Sequence, residues 1–249
     1  MSAIAEGKPL VDKTVIKLNI PAPKDTAGGI VVADINDDGK PDFLVTVPGH
    51  LAAQANDGKT LWRFEGDIHV SVKSENNGLP GHHGPGVAAG DVDGDGRCEV
   101  LFLTGDGQLR VVEGKSGRIV KVARPPVPDG AQRWEQAMVA DFRGKGDRDI
   151  LLQATNKRGY RMGKYLAAYA FDDLVAGKKP LWTTDNFVSC AHNGVRLADL
   201  DGDGRDEVFG ATILGPDGNL RARAAKFRGH MDSVFVTDVQ ADKPGLEVV

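Results

Sequence analysis

Three acidic segments of this sequence place oxygen-bearing side chains at the same positions. Aspartate or asparagine occupies positions one, three and five, glycine position six, and aspartate or glutamate position nine. In such a loop the odd-numbered side chains converge, glycine permits the turn, and residue seven offers its backbone carbonyl. The predicted metal ligands are Asp34, Asn36, Asp38, Lys40 and Asp42; Asp91, Asp93, Asp95, Arg97 and Glu99; and Asp199, Asp201, Asp203, Arg205 and Glu207. Oxygen donors in this number suit Ca²⁺, which is the expected cofactor.

A surface turn that binds no ion is the alternative interpretation, because aspartate and glycine are common in turns. Three carboxylates held about 4 Å apart, however, repel one another by roughly 1 kcal/mol per pair even at the dielectric constant of water. A bound cation removes that repulsion. The loops lack the glutamate at position twelve and the flanking helices of an EF-hand. We therefore expect calcium in short loops between strands, where a structural role is favoured over a catalytic one.

A fourth copy of the pattern has basic residues at two ligand positions. Asp141 and Asp149 remain at positions one and nine, while Arg143 and Lys145 occupy positions three and five. We expect the basic side chains to stand in for an ion and to pair with the two carboxylates. No metal is predicted in this loop.

Five copies of the pattern recur along the chain, with starts separated by 57, 50, 58 and 39 residues. Each copy lies between a small or apolar run and a β-branched or aromatic run, which indicates a strand, a loop and a second strand. Repeats of roughly 40 to 50 residues with three to four strands each are typical of propeller blades. The sequence predicts an all-β protein, a β-propeller, whose only helical stretch is short and lies near 172–176. The expected blades cover 21–70, 84–124, 134–175, 188–228 and 230–249.

The last expected blade is incomplete, because Val249 lies within the strand that follows the fifth copy. An open propeller exposes unpaired strand edges, which natural proteins avoid. We therefore expect a single β-propeller domain, or a fragment of one, that is part of a larger propeller. The total number of blades and the assembly state stay open.

Composition excludes several classes of partner. The chain has 41% hydrophobic and 27% charged residues and a net charge of −4, without a run rich in lysine or arginine. Nucleic acid is therefore not an expected partner. No segment approaches the roughly 18 apolar residues of a membrane span. Weak calcium sites suit the calcium concentration outside cells, so we expect a secreted or periplasmic protein whose signal is not in this sequence. Cys98 and Cys190 are expected to be free thiols.

Several histidines stand at comparable places in the repeats. His192 lies just ahead of the third acidic loop, His230 eight residues ahead of the fifth copy, and His82 and His83 just ahead of the second loop. Corresponding points of successive blades open on the same end of a propeller, so these side chains could share one site. A hydrogen-bonded structural histidine is the alternative interpretation of each.

The acidic loops resemble the FG-GAP and VCBS repeats of integrin-like propellers. Three segments of the second half, over about 134–249, are similar to the catalytic propeller of family 11 rhamnogalacturonan lyases. They are Lys157-Arg-Gly-Tyr-Arg-Met-Gly-Lys, Ala191-His-Asn-Gly-Val-Arg-Leu-Ala-Asp and Gly229-His-Met-Asp. The resemblance implies an eight-bladed propeller that cleaves rhamnogalacturonan by β-elimination with calcium at the site.

Elimination at a 4-linked uronate needs a positive group at the carboxylate, a base near C5 and a proton donor to the leaving oxygen. The resemblance implies the catalytic candidates His192, His230, Arg158, Tyr160 and Lys164, with either histidine as base or sugar ligand. The substrate-binding candidates are His82, His83, Asn193 and Arg196.

Two functions stay open from the sequence. The first is a polysaccharide lyase that acts on rhamnogalacturonan or another uronate polysaccharide, so that the partner is an acidic polysaccharide or other carbohydrate. The second is a non-enzymatic, integrin-like propeller that binds sugar or protein on its loop face and is stabilised by calcium. Turnover with release of unsaturated uronate distinguishes the first from the second.

Overall fold

The computed structural model describes residues 15–22, 29–68, 86–157, 162–188, 190, 194–223, 231, 233–240 and 242–249. These residues form antiparallel sheets in which neighbouring strands follow one another along the chain. Four sheets have four strands each, and a further sheet has two. The helix α1, Phe171–Val175, is short and lies where the sequence predicts one.

The strands are numbered in chain order. The first sheet contains β1 Gly29–Ala33, β2 Asp42–Val47, β3 His50–Gln54 and β4 Thr60–Glu65; the second β5 Val87–Gly90, β6 Glu99–Leu103, β7 Leu109–Glu113 and β8 Ile119–Ala123; the third β9 Trp134–Ala140, β10 Asp149–Thr155, β11 Met162–Ala170 and β12 Trp182–Thr184; the fourth β13 Arg196–Ala198, β14 Glu207–Phe209, β15 Thr212–Leu214 and β16 Leu220–Arg223; and the last β17 Val236–Thr237 and β18 Glu247–Val248.

The second strand of a sheet is its most buried element. Every residue of β6 and of β10 is buried, and each strand contains a run of apolar residues, Val-Leu-Phe-Leu in β6 and Ile-Leu-Leu in β10. A strand that is covered on both faces has a continuous apolar run instead of an alternating one. The sheets must therefore have packing partners on either side.

Successive sheets supply those partners by packing face to face. The cores between them join Leu44 and Leu51 to Val100 and Phe102, Leu101 and Val111 to Ile150 and Leu152, and Leu151 and Leu166 to Val208 and Leu214. Alternate residues of β6 and β10 thus face opposite neighbours, as the pleat of a strand requires. Four-stranded sheets in this arrangement are the blades of a β-propeller, and the all-β, β-propeller prediction is confirmed.

Tryptophans of outer strands join sheets one and three to the sheets that follow them. The indole Nε1 of Trp62 in β4 donates a hydrogen bond to the carbonyl oxygen of Gly114, in the hairpin after β7. The indole Nε1 of Trp182 in β12 donates to the carbonyl oxygen of Pro216, 2.8 Å away in the hairpin after β15. A buried indole N–H needs an acceptor, and here it finds one in the neighbouring sheet.

The two ends of the sheets differ. At one end, here called the loop face, the nine-residue acidic loops join the first strand of each sheet to the second. At the other end, the connection face, the fourth strand of one sheet leads to the first strand of the next. A backbone bond between the first two sheets confirms this direction, since Gly105 N donates to Asp67 O and both residues lie at the connection face.

No helix in the described part of the chain is long and apolar enough to cross a membrane. Cys98 and Cys190 are thiols, as expected from the sequence, and both are buried.

Candidate functional site

The first aspartate of each acidic loop closes the turn with its own carboxylate. In the first loop, Asp34 Oδ1 accepts a hydrogen bond from Asp38 N at 3.0 Å, and Oδ2 accepts one from Gly39 N at 2.8 Å. Asp91 and Asp199 bind the backbone of their own loops in the same manner. Short carboxylates favour such local turns, so each loop is organised by contacts within a few residues.

The ninth residue ties the loop to its own beginning. Glu99 Oε2 accepts a hydrogen bond from Val92 N at 3.2 Å, and Glu207 Oε2 accepts one from Leu200 N at 2.9 Å. The same bond recurs at position nine of two other copies, at Asp42 and Asp149, and at position ten of the fifth copy, where Glu247 Oε2 accepts it from Val239 N. This carboxylate therefore has a structural role in every copy, and the sequence identified only its role as an ion ligand.

Two of the loops bring acidic oxygens together. Oxygens of Asp91, Asp93 and Glu99 lie within 4.8 Å of one another, as do oxygens of Asp199, Asp201 and Asp203. The remaining aspartate of the second loop, Asp95, instead holds the side chain of Arg97, whose Nε is 2.9 Å from Asp95 Oδ2. Both groups have the oxygen chemistry that calcium requires.

In the first loop, the acidic side chains bond to a residue from outside the loop. Asn56, from the hairpin between β3 and β4, donates from Nδ2 to Asp38 Oδ2 and to Asp42 Oδ1, each at 3.3 Å. Its backbone N–H also bonds to Asp42 Oδ1 at 2.9 Å. The sequence pattern did not identify Asn56, because it lies outside the nine-residue loop.

The electrostatics of the two acidic groups favour a cation. Burial, and then repulsion from Asp93 and Asp95, raises the pKa of Glu99 to about 7. Burial also raises the pKa of Glu207. Glu207 Oε1 is buried and has no hydrogen-bond partner. A divalent cation would supply that partner and remove the repulsion, so the residues present fit calcium.

Calcium binding to the second loop is expected to weaken as the pH falls. Without the ion, Glu99 holds a proton up to about pH 7, whereas in the unfolded chain it loses that proton near its ordinary value of 4.5. The ion-free protein therefore loses stability as the pH rises from about 4.5 to about 7. Calcium binds the ionised carboxylate, so its affinity increases over the same pH range. Titration calorimetry at about pH 5.5 and about pH 7.5 should show roughly a tenfold loss of affinity for each unit below 7. Glu99→Gln should remove that dependence; an unchanged pH profile in this variant would contradict the assignment.

The fourth copy replaces an ion with a guanidinium group. Arg143 Nε donates to Asp149 Oδ1 at 2.7 Å, and Asp149 is fully buried. The expected pairing is therefore confirmed for Arg143. Lys145 contributes its backbone N–H to Asp141 Oδ1 at 2.7 Å, and its exposed ammonium makes no ion pair with a described residue. The expected pairing is wrong for Lys145, since its side chain points to solvent.

Neighbouring loops touch across the sheets. Cys98 N, in the second loop, donates to Asp37 Oδ1 of the first at 3.0 Å. Asp141 N, in the fourth copy, donates to Asp206 Oδ2 of the third loop at 2.8 Å, and Asp206 N donates back to Asp141 O. The loops are therefore parts of one connected face, and an ion in one of them also supports the contact between two sheets.

Two of the candidate carbohydrate residues lie in the described part of the chain. Lys164 is exposed near the start of β11, at the connection face. Arg196 is the first residue of β13, is partly buried, and donates from Nη1 to Val195 O at 2.9 Å. The other candidates, His82, His83, Arg158, Tyr160, His192, Asn193 and His230, lie outside the described residues.

The candidate residues and the acidic loops are separated by the length of a strand. Lys164 is six residues from Ala170, which pairs with Asp149 at the loop face. At about 3.3 Å per residue this is roughly 20 Å. Gly194, which follows the His192-Asn193 pair, precedes the loop at Asp199 by five residues, or roughly 16 Å. An ion in these loops would therefore lie far from Lys164 at the connection face.

Two buried glutamines bond to the backbone next to the described candidates Arg196 and Lys164. Gln136 Oε1, in β9, accepts a hydrogen bond from Val195 N at 3.0 Å. Gly194 N donates to Cys190 O. Gln153 Nε2 donates to Gly163 O at 2.8 Å in the adjoining strand. Sequence reasoning missed both glutamines. The available signal was a polar residue within an otherwise apolar strand, in Trp-Glu-Gln-Ala-Met-Val-Ala and Asp-Ile-Leu-Leu-Gln-Ala-Thr.

Gly194→Ala is expected to destabilise the protein by more than the backbone strain alone. Gly194 has φ +67°, and a Cβ there would overlap Gln136 Oε1, which is buried. Gly177 has the same φ of +67° but open space around it, so Gly177→Ala is the matched control. We expect roughly 1 kcal/mol for the control and about 2 to 3 kcal/mol for Gly194→Ala, measured by chemical denaturation. Equal losses for the two variants would show that Gln136 does not constrain this position.

The repeats match a known family of sequence repeats, the FG-GAP-like repeat, over residues 34–102 and 91–152. The matched repeats cover a little under half of the chain. It is also 26% identical to the rhamnogalacturonan endolyase YesW of Bacillus subtilis (strain 168), over 90% of this chain and 43% of that protein. It is 24% identical to the rhamnogalacturonan exolyase YesX of the same organism, over 90% and 44% of the two chains.

Comparison of folds agrees with the sequence relatives. The crystal structure of the Bacillus licheniformis rhamnogalacturonan lyase PL11 superposes with a TM-score of 0.65 at 21% identity, over 89% of this chain and 46% of that chain. The distant similarity to these lyases thus extends over most of the chain, not over its second half alone. The chain spans less than half the length of the relatives that it matches.

Proposed function

We propose that this chain forms part of a polysaccharide lyase that cleaves rhamnogalacturonan, or another uronate polysaccharide, by β-elimination. The observation that carries the proposal is the similarity to an endolyase and an exolyase that act on rhamnogalacturonan, over 90% of the chain in both. The candidate side chains whose place is described fit it, since Lys164 lies at the connection face and Arg196 in the strand that begins there. An extracellular location, where such polysaccharides and calcium are found, belongs to the same proposal.

Calcium in this proposal is structural. The ion would be held by the carboxylates and amide of the three acidic loops, with backbone carbonyls from Lys40, Arg97 and Arg205. When bound, it neutralises clustered carboxylates and fixes the ends of the first two strands of a blade. The distance of roughly 16 to 20 Å between the loop and connection faces supports this role.

The elimination itself would proceed at the connection face. His192 or His230 takes the C5 proton, the C5–H electron pair forms the C4–C5 double bond, and the C4–O bond breaks as the leaving oxygen receives a proton. Arg158 and Lys164 would neutralise the uronate carboxylate, which makes the C5 proton more acidic, and Tyr160 would donate the proton. Binding of the sugar chain would use His82, His83, Asn193 and Arg196.

Ultraviolet absorbance of the unsaturated uronate tests this function directly. The full protein that contains this chain is incubated with rhamnogalacturonan, with homogalacturonan and with alginate. His192→Ala or His230→Ala should lower kcat by about 10² to 10⁴, the usual contribution of a general base. Lys164→Met should raise KM, while the exposed Lys179→Met serves as its control. Absence of unsaturated product from all three polysaccharides would exclude the lyase.

A non-enzymatic propeller that binds sugar or protein is the second candidate. The match to the repeat family at 34–152 favours it, because these repeats account for the calcium loops without any catalytic residue. This function predicts calcium-dependent stability and carbohydrate or protein binding without turnover. The absorbance assay separates the two functions.

A further inference from the structure

The second and third acidic loops have the same residues at every ligand position. Asp91-Val-Asp-Gly-Asp-Gly-Arg-Cys-Glu and Asp199-Leu-Asp-Gly-Asp-Gly-Arg-Asp-Glu differ only at positions two and eight. In both loops the arginine at position seven pairs with the aspartate at position five. From the loops alone, equal calcium affinity is expected, since affinity follows the number and charge of the ligands.

The two loops differ in whether an arginine from outside the loop pairs with their ligands. Arg221, in β16, reaches the third loop, where its Nη1 lies 2.6 Å from Asp201 Oδ2 and its Nη2 lies 3.4 Å from Glu207 Oε1. Beside the second loop, Arg148 lies against Gly94 but pairs with Asp172 and not with a loop ligand. Glu113, at the end of β7, lies 3.7 Å from Arg97 Nη1 and 3.7 Å from Arg118 Nη2. The third loop thus has an arginine from another strand at two of its ligands, whereas the described residues show no such pair at the ligands of the second loop.

The ion pair between Arg221 and Glu207 is weak. The two groups are within ion-pair distance, yet Glu207 Oε1 receives no hydrogen bond from Arg221 or from another described residue. Glu99 belongs to the converging group of the second loop, whereas Glu207 is absent from that of the third. The Arg221 side chain is 43% exposed, so it has room to withdraw towards solvent.

We propose that Arg221 competes with calcium for the third loop, so that this loop binds the ion more weakly than the second and fills at a higher calcium concentration. The inference rests on the proposed calcium binding by the loops. As the calcium concentration rises, the second loop would then fill before the third, although their ligands are the same. Asp206, at position eight of the third loop, carries a negative charge that favours calcium, but its carboxylate accepts a hydrogen bond from Asp141 N of the neighbouring loop.

Arg221→Met tests the competition because it removes the charge and keeps an apolar stem. A unit charge about 6 Å from a divalent ion changes its affinity on the order of tenfold at the dielectric constant of water. Arg221→Met should therefore raise the affinity of the third loop about tenfold, to that of the second. Arg223→Met, one pleat further from the loop on the same strand, is the charge-matched control and should change it little.

Tryptophan-sensitised terbium luminescence reads the third loop separately from the first two in the full chain. Trp182 contacts the hairpin of the fourth sheet at the loop face, and Trp62 contacts the corresponding hairpin of the second sheet, where Gly114 lies against Ile35 of the first loop and Cys98 of the second. A Trp62→Phe background therefore reports the third loop, a Trp182→Phe background reports the first and second together, and calcium is titrated against bound terbium. The calcium dependence of the melting temperature provides a second measurement if a background variant folds poorly.

The outcomes are distinct. A rise in affinity of the third loop alone in Arg221→Met supports the inference. An unchanged or lower affinity would overturn it and assign Arg221 the opposite role, that of orienting Asp201 towards the ion. An equal rise in Arg223→Met would also overturn it, because the effect would then follow from net charge. Absence of terbium and calcium binding at both loops would refute calcium binding itself, and the inference with it.

Discussion

Chelation of calcium is expected to lower the free energy of unfolding by roughly 3 kcal/mol for each acidic loop that binds the ion. An ion bound only by the folded state contributes about 2.7 kcal/mol at a hundred times its dissociation constant. The physical reason is clearest in the second loop, where burial and neighbouring carboxylates raise the pKa of Glu99 to about 7 in the absence of an ion. Urea unfolding in excess calcium and in excess chelator, followed by circular dichroism, measures the difference.

A substitution in the second loop provides a specific control for the chelation experiment. Asp93 converges with Asp91 and Glu99, and its carboxylate has one further bond, from Asp95 N at 3.1 Å. Asp93→Ala should therefore remove one loop's share of the calcium effect, while the stability in chelator changes by only about 1 kcal/mol. Magnesium at the same concentration should stabilise far less, because it requires a smaller octahedral site. Identical unfolding curves in calcium and chelator would refute calcium binding by these loops.

Arg143→Ala is expected to cost roughly 3 kcal/mol of stability. Asp149 is fully buried, and its Oδ1 would lose the guanidinium partner at 2.7 Å while its Oδ2 kept only the bond from Phe142 N. Removing one member of a buried ion pair leaves an uncompensated charge, which typically costs 3 to 5 kcal/mol; the partial exposure of Arg143 places this pair at the lower end. Burial already raises the pKa of Asp149, and loss of Arg143 should raise it further. Chemical denaturation at neutral pH measures the loss.

Two further variants of this loop test why the loss occurs. Lys145→Ala removes an exposed ammonium without an ion pair and should change stability by less than about 0.5 kcal/mol. The double substitution Arg143→Asn and Lys145→Asp restores the acidic pattern between Asp141 and Asp149. It should be unstable in chelator and regain stability in calcium. Equal stability of the double variant in chelator and calcium would show that the arginine does not stand in for an ion.

The sequence by itself determined the acidic loops and the propeller. Asp34 closes its turn on Asp38 and Gly39, and Glu207 closes on Leu200, so the chemistry of each loop lies within nine residues. Repetition of this unit between apolar runs was sufficient to predict the blades. The short helix was predicted from its own sequence near 172–176. The replacement of an ion by Arg143 was also predictable, because Asp149 is six residues away.

Only the tertiary structure decided how the parts relate to one another. Gln136 and Val195 are separated by 59 positions, and Asp37 and Cys98 by 61, so no local pattern indicates that they bond. Arg221 lies outside the loop that it contacts and is one of several similar arginines in the sequence. The sequence order also placed Arg196 just ahead of an acidic loop, whereas β13 between them carries the chain from the connection face to the loop face. Local turn chemistry is set by neighbours along the chain, while the distance between sites and the charge around each depend on how the sheets pack.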